Sequence, residues 1–313
     1  MMPTRALSIL IYHRVLAAPD PLLPGVPDVA TFDRHMRLLK RCFRVTPLST
    51  AFGQLRQGTL PARALSITFD DGYADNAALA LPVLRRHGLH ATFFIATAYL
   101  DGGRMWNDDV IDYVRQAPAG RLDFSMVGCG SLPGFTHAQK RQAIDQVLTQ
   151  LKYLPFASRQ MMARRLAPPG RQALMMTSDQ IRDLLAAGME LGAHTHRHPI
   201  LAAMPDDDAL ADIAEGKAAL EAITGRRATL FAYPNGKPDT DYNLRHIDMV
   251  RSLGFDAAVS TVPGTAGLDS DPWQLPRYTP WQRDSARFLM RLALSRHRES
   301  VRRRVSLPPA LGG

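Results

Sequence analysis

The sequence predicts an α/β fold built on about seven parallel strands, and three observations support it. Short apolar runs alternate with segments of helical period through most of the 313 residues. The helical segments carry start signals such as Thr31 and Thr177, and stop signals such as Gly88, Gly188, Gly225 and Gly254. The composition, 46% hydrophobic and 21% charged, supplies a core for one large domain or two small ones. Strand–helix alternation implies βαβ crossovers, and so a parallel sheet that is either a closed barrel or doubly wound.

Leu7–Tyr12 (LSILIY) reads as a buried strand, and Thr31 as the N-cap of a helix running to Cys42. Ala64–Phe69 is the second strand, and Asp75–His87 a helix stopped by Gly88, which suits a left-handed C-terminal position. Ala91–Ala96 (ATFFIA) is the third strand. Thr177-Ser178-Asp179-Gln180 fits a capping box and opens a helix that ends near Gly188. Glu190–Ala193 is a short strand, Pro205–Thr224 a helix, Thr229–Tyr233 a strand and Asn243–Leu253 a helix. Ala257–Ser260 and Gln274–Tyr278 complete the seven strands, with Asp269–Trp273 as a turn. The stretch of about 106–176 is helical and loop-like, offers no strand, and reads as an insertion rising from one βα loop. Residues 1–280 are thus expected to form the barrel or sheet, and 281–313 a basic C-terminal helix and tail.

Composition excludes several classes. Cys42 and Cys129 are too few and too distant for a cystine framework or a Cys-based zinc site. The apolar run at the N-terminus is about half a signal-peptide core and lacks a small-residue cleavage site. No window approaches the roughly 18 apolar residues of a membrane span. The expected location is cytoplasmic. The net charge of +9 does not indicate nucleic acid, since no basic stripe interleaved with aromatics accompanies it.

Two motifs carry chemistry. Asp70 and Asp71, in Thr68-Phe69-Asp70-Asp71-Gly72, stand together at the end of a buried strand, where paired carboxylates are costly unless a cation or proton holds them. A turn that caps the next helix is the plainer alternative. His194-Thr195-His196-Arg197-His198-Pro199 follows the strand Glu190–Ala193. His194 and His198 with Asp71 would give an open three-ligand metal site with room for water. Alternate residues beyond a strand diverge, which sets His196 apart from the ligands. Pro199 and the missing Glu exclude the HExxH helix.

Taken together, TFDDG and H-T-x-x-H resemble the polysaccharide deacetylase family, the NodB-homology carbohydrate esterases. The likeness runs from about Ser8 to Tyr278, through Tyr12-His13-Arg14-Val15, Trp106-Asn107-Asp108 and Phe231-Ala232-Tyr233-Pro234-Asn235-Gly236. It implies a distorted (β/α) barrel with a helical insertion, acting as a metal-dependent hydrolase on an acetylated amino-sugar glycan. Asp70 becomes the general base, and Asp71, His194 and His198 the ligands of a divalent ion, most simply Zn²⁺. Thr195 would brace the loop. Tyr233, Pro234 and Asn235 would form the substrate side, with the Asn235 N–H binding the oxyanion.

The sequence departs from the family twice. The Arg common in the third motif is Ala232 here, and Arg277 is expected to pair with Asp70 in its place. No late Leu-His motif supplies the general acid. His13 is expected in that role, as in a subgroup resembling the poly-N-acetylglucosamine deacetylases of biofilm exopolysaccharide. The competing readings are hydrolysis of another amide, a two-His-one-carboxylate oxygenase, and a sugar-binding homologue with little turnover.

Most of the net charge is local. From Trp281 onward eight arginines face two acidic residues, so +6 of the +9 lies there. Arg283, Arg287, Arg291, Arg298 and Arg302 recur at helical spacing opposite Phe288, Leu289, Leu292 and Ala293. This reads as a final barrel helix with a solvated face, or as a peripheral contact with an anionic membrane.

Overall fold

The computed structural model describes residues 6–280 and 284–295. Its chain order starts with β1 (Ser8–Tyr12), α1 (Val29–Cys42), β2 (Arg44–Val45), α2 (Leu48–Arg56) and β3 (Ala64–Phe69). A π-helical turn, Asn76–Ala80, then leads into α3 (Leu81–His87), followed by β4 (Thr92–Ile95). Next come α4 (Trp106–Gln116), β5 (Arg121–Phe124), β6 (Gly130–Pro133), α5 (His137–Lys152) and α6 (Phe156–Leu166). The chain continues through α7 (Ser178–Ala186), β7 (Glu190–Ala193), α8 (Asp206–Thr224) and β8 (Leu230–Ala232). It closes with α9 (Leu244–Ser252), β9 (Ala257–Val259) and α10 (Ser285–Ser295).

The main sheet runs β1-β3-β4-β7-β8-β9 with every pair parallel, and β2 pairs with the start of β3. β1 and β3 are buried at every residue, because helices cover one face of the sheet and the curled interior the other. The polar side chains of β3 are satisfied: Thr68 Oγ1 donates to the Leu10 carbonyl and Ser66 Oγ to that of Thr46. Phe69 anchors the core, stacking on both Tyr12 and Phe93.

Several local expectations change. Gln274–Tyr278 is not a seventh strand. It spans from β9 to β1 by isolated bridges, Leu275 to Val259 and Tyr278 to Leu10. Pro276 has no N–H to give, and the Arg277 N–H goes to the Val262 carbonyl instead. Two-residue β2 was not legible as a strand. The stretch after Trp106 does contain strands: β5 and β6 form an antiparallel hairpin, with Leu122 and Phe124 on its buried side. This hairpin, α4, α5 and α6 surround a separate apolar cluster that includes Val110, Phe124, Val147 and Leu151. Asp28, not Thr31, caps α1, accepting the Thr31 N–H at 2.8 Å. The capping box at Thr177–Gln180 and the left-handed Gly88 and Gly225 are as expected.

Within α10, Phe288 and Leu292 are fully buried, and Phe288 stacks on His35 of α1 at 4.2 Å. That part of its apolar side is therefore occupied by the barrel and unavailable to a bilayer. Arg287 and Arg291 are exposed, whereas Arg283, Arg298 and Arg302 lie outside the described residues. No helix among the described residues is long and apolar enough to cross a membrane.

Candidate active site

Parallel strands end on one side of the barrel, and that side gathers the chemistry. Asp70 and Asp71 follow β3, His194 follows β7, Asn235 lies beyond β8 and His13 follows β1. All of them, with His198, line a cleft of about 440 Å³. Helices α5 and α6 add Asp145, Lys152 and Arg159 to its wall.

Donor atoms of Asp71, His194 and His198 lie within 4.8 Å of one another. Nε2 of His194 is 3.5 Å, and Nε2 of His198 3.4 Å, from the same Asp71 oxygen. His194 Nδ1 faces the Ala232 carbonyl oxygen at 2.7 Å, which assigns its hydrogen there and leaves Nε2 as a lone-pair donor. Burial pushes the His198 pKa down to about 3, against the pull of Asp71, so its imidazole is neutral and able to ligate. Burial alone would raise Asp71. The surrounding imidazoles of His194, His198 and His13 outweigh burial, and the carboxyl stays low. Two imidazoles and one carboxylate with an open side suit Zn²⁺ or a similar divalent ion. His196 is not in this cluster, and its Nδ1 contacts Thr97 Oγ1 at 2.9 Å.

Asp70 is buried and paired. Both of its oxygens accept from Arg277, Nη1 and Nη2, at 2.7 Å each. Arg277 is itself 1% exposed and fixed by two further bonds, Nε to the Ser260 carbonyl and Nη1 to Thr68 Oγ1. Burial would raise the Asp70 pKa, but the Arg277 charge, with His194, holds it below the ordinary carboxylate range.

The loops are held in left-handed backbone that side chains seldom adopt. φ is +77° at Asp71, +63° at Thr195, +52° at His198 and +61° at Asn235. Thr195, β-branched, is the most strained of these by type, and its Oγ1 accepts the His198 N–H at 3.0 Å. Asp212 of α8, fully buried, accepts the N–H groups of His196 and Arg197 and pairs with the Arg197 side chain. α8 can come this close because of Gly216, where a Cβ would lie 2.3 Å from the Thr195 carbonyl carbon. Neither Asp212 nor Gly216 announces itself in the sequence.

His13 reaches the cleft from a tethered loop. Asn76, in the π-helical turn, donates to the His13 carbonyl at 2.9 Å. Asp75 accepts from the Val15 N–H and from Arg14 Nε. Arg14 lies over the Tyr73 ring, whose hydroxyl donates to buried Asp108 at 3.1 Å. No described residue accepts a hydrogen bond from the Asn235 N–H. Tyr233 needs correction as a substrate contact: its ring is fully buried, stacked on Tyr242 at 3.8 Å, and turned into the core. Pro234 is also outside the cleft lining, and its carbonyl accepts the Gly236 N–H in the turn that presents Asn235.

Strand-end carboxylates and a His–His–Asp cluster on a curled parallel barrel describe a deacetylase hydrolase of NodB-homology type. The polysaccharide deacetylase profile matches residues 57–258, and the chain belongs to that family. A Bacillus subtilis (strain 168) protein named for the same family, YxkH, is 21% identical over 273 residues, 87% of this chain and 70% of its own. Among solved structures, the Streptococcus pyogenes deacetylase PplD, in complex with acetate, superposes with a TM-score of 0.63 at 18% identity, covering 93% of this chain and 99% of its own. IcaB from Ammonifex degensii gives 0.60 at 19% identity, covering 93% and 97%.

Proposed function

We propose that the protein removes N-acetyl groups from N-acetylhexosamine units of a polysaccharide or glycan intermediate, by metal-assisted hydrolysis. The observation that carries this reading is the Asp70–Arg277 pair beside the Asp71–His194–His198 cluster, both opening on one cleft. When bound, a divalent ion such as Zn²⁺ would polarise the acetamide carbonyl and acidify water.

The chain's own residues account for the rest. Asp70 accepts the proton of the attacking water, and Arg277 keeps that carboxylate ionised and fixed in plane. The Asn235 N–H donates to the carbonyl oxygen as negative charge develops on it. His13 gives a proton to the departing sugar nitrogen, which would otherwise leave as a poor, anionic amide. The products are acetate and an amino sugar.

A screen of N-acetylated oligosaccharides, O-acetylated sugars and acetylated peptides with the metal-loaded protein tests the substrate class. Acetate release confined to N-acetylhexosamine oligomers supports it. Release from peptide amides alone replaces it with hydrolysis of another C–N bond, and no release from any of them leaves a sugar-binding homologue.

A further inference from the structure

Arg159 of α6 is a buried cation without a counter-ion. It is 2% exposed and lines the cleft, and no carboxylate forms an ion pair with it among the described residues. Nη1 donates to the Lys152 carbonyl at 3.0 Å, while Nε and Nη2 are buried without a hydrogen-bond partner. The guanidinium lies over two rings, 5.3 Å from the centre of Trp106 and 5.5 Å from that of Phe156, and Trp106 forms part of the same cleft wall. Ring faces offset part of the desolvation but leave the charge in place.

Leaving a buried charge unpaired is one of the costliest arrangements in a fold. Of the acidic groups nearby, Asp70 and Asp71 are committed elsewhere. Both Asp70 oxygens are held by Arg277, and Asp71 faces two imidazoles. Asp145, exposed on the cleft wall, forms an ion pair with neither cation. Lys152, also on the cleft wall, is partly compensated by buried Asp241, whose carboxylate lies 3.8 Å from its Nζ. Two cations from the helical insertion therefore line the substrate space: Arg159 has no ion pair among the described residues, and Lys152 has a long one to Asp241.

We propose that Arg159 and Lys152 select glycans bearing an anionic group, a carboxylate or a phosphate ester, beside the sugar that is deacetylated. The inference rests on the deacetylase reading for the position of that sugar. It makes the insertion a specificity element and the ligand an acidic glycan, such as one alternating N-acetylhexosamine with uronic acid or one carrying phosphate.

The test compares three length-matched oligomers with the full-length, metal-loaded protein: neutral, uronate-containing and phosphorylated. An anionic oligomer should have kcat/KM about tenfold or more above the neutral one, mainly through KM, the size expected of contacts to a charged group. Arg159→Met, which keeps the packing over the rings, should bring that ratio close to one, and Arg159→Lys should keep most of it. Whichever anionic oligomer shows the preference identifies carboxylate or phosphate as its source. A ratio near one in the native protein, or a high ratio that survives Arg159→Met, overturns the proposal. If Arg159→Met does not fold, Lys152→Met decides: the ratio must fall at least about threefold. Calorimetric binding of the already deacetylated oligomers, which cannot turn over, separates the two levels. No acetate from any oligomer defeats the deacetylase reading, while equal binding of anionic and neutral products defeats this one.

Discussion

Arg277 and Asp70, 207 residues apart in sequence, meet through two parallel hydrogen bonds of 2.7 Å in the buried floor of the cleft. The guanidinium comes from the segment that closes the barrel between β9 and β1, and its backbone N–H leaves the sheet to reach Val262. A residue off the regular ladder thus pairs with Asp70, where position 232 offers only Ala. Ala232 instead contributes its carbonyl, which orients His194.

Arg277→Ala should lower kcat/KM by about a hundredfold or more and cost about 3–5 kcal/mol of stability, because it strands a buried carboxylate. The protein should still load metal. Arg277 holds the Asp70 pKa down against burial, so its loss raises that pKa and moves the acid limb of the pH–rate profile to higher pH. Arg277→Lys should retain part of the activity. Native activity with an unmoved acid limb would show that the pair plays no part in the chemistry.

Removing one ligand should lower metal content and activity together. His198→Ala and Asp71→Asn are expected to bind metal more than about 100-fold more weakly, beyond the loss of about 10–100-fold that removing a group behind a ligand causes. Thr195→Ala, which loses the brace on the His198 N–H, should weaken it less. Metal titration against a chromogenic chelator measures each, and undiminished affinity in His198→Ala would remove it from the site.

If His13 protonates the leaving nitrogen, the need for it depends on the leaving group. His13→Ala should cut turnover of an N-acetylated sugar by about 10²–10⁴-fold. An activated aryl acetate, whose phenolate leaves without a proton, should suffer far less. Asn76→Ala, which frees the His13 carbonyl, should show the same pattern at smaller amplitude. Equal losses on both substrates would assign His13 to binding or folding.

The pKa of Asp108 is pushed up to about 7, chiefly by burial, despite the opposing charges of Arg14 and Arg104. In the unfolded chain the carboxyl titrates near about 3.9, so between about pH 4 and pH 7 the folded state holds a proton the unfolded state lacks. This contribution favours folding most at the acid end, is lost as pH rises through that window, and levels off above about pH 7. Asp108→Asn cannot titrate, so its Tm should fall less than that of the native protein between pH 5 and pH 8. Parallel Tm curves would contradict this assignment.

The barrel was legible because parallel strands buried on both faces leave unbroken apolar runs, as in β1 and β3. The His–His–Asp cluster was legible because His and Asp followed such runs. Arg277 could be inferred only from what Ala232 lacks. Other features left too little signal. β5 and β6 offer four residues each, and the last predicted strand was interrupted by Pro276. Tyr233 sat within a motif, yet its ring turned inward to stack on Tyr242. Asp212 was hidden in a helix that already opens with Asp206, Asp207 and Asp208. Only the tertiary fold brings it under the His196 and Arg197 N–H groups.

The most direct test of the central claim is a paired count of acetate and new primary amines from an N-acetylhexosamine oligomer. The protein should release both in equal number when loaded with Zn²⁺ or a comparable divalent ion, stop after chelation, and resume when the ion returns. Asp70→Asn should load metal but release neither. Equal release by the chelated protein, or full release by Asp70→Asn, would contradict metal-assisted hydrolysis with Asp70 as the base.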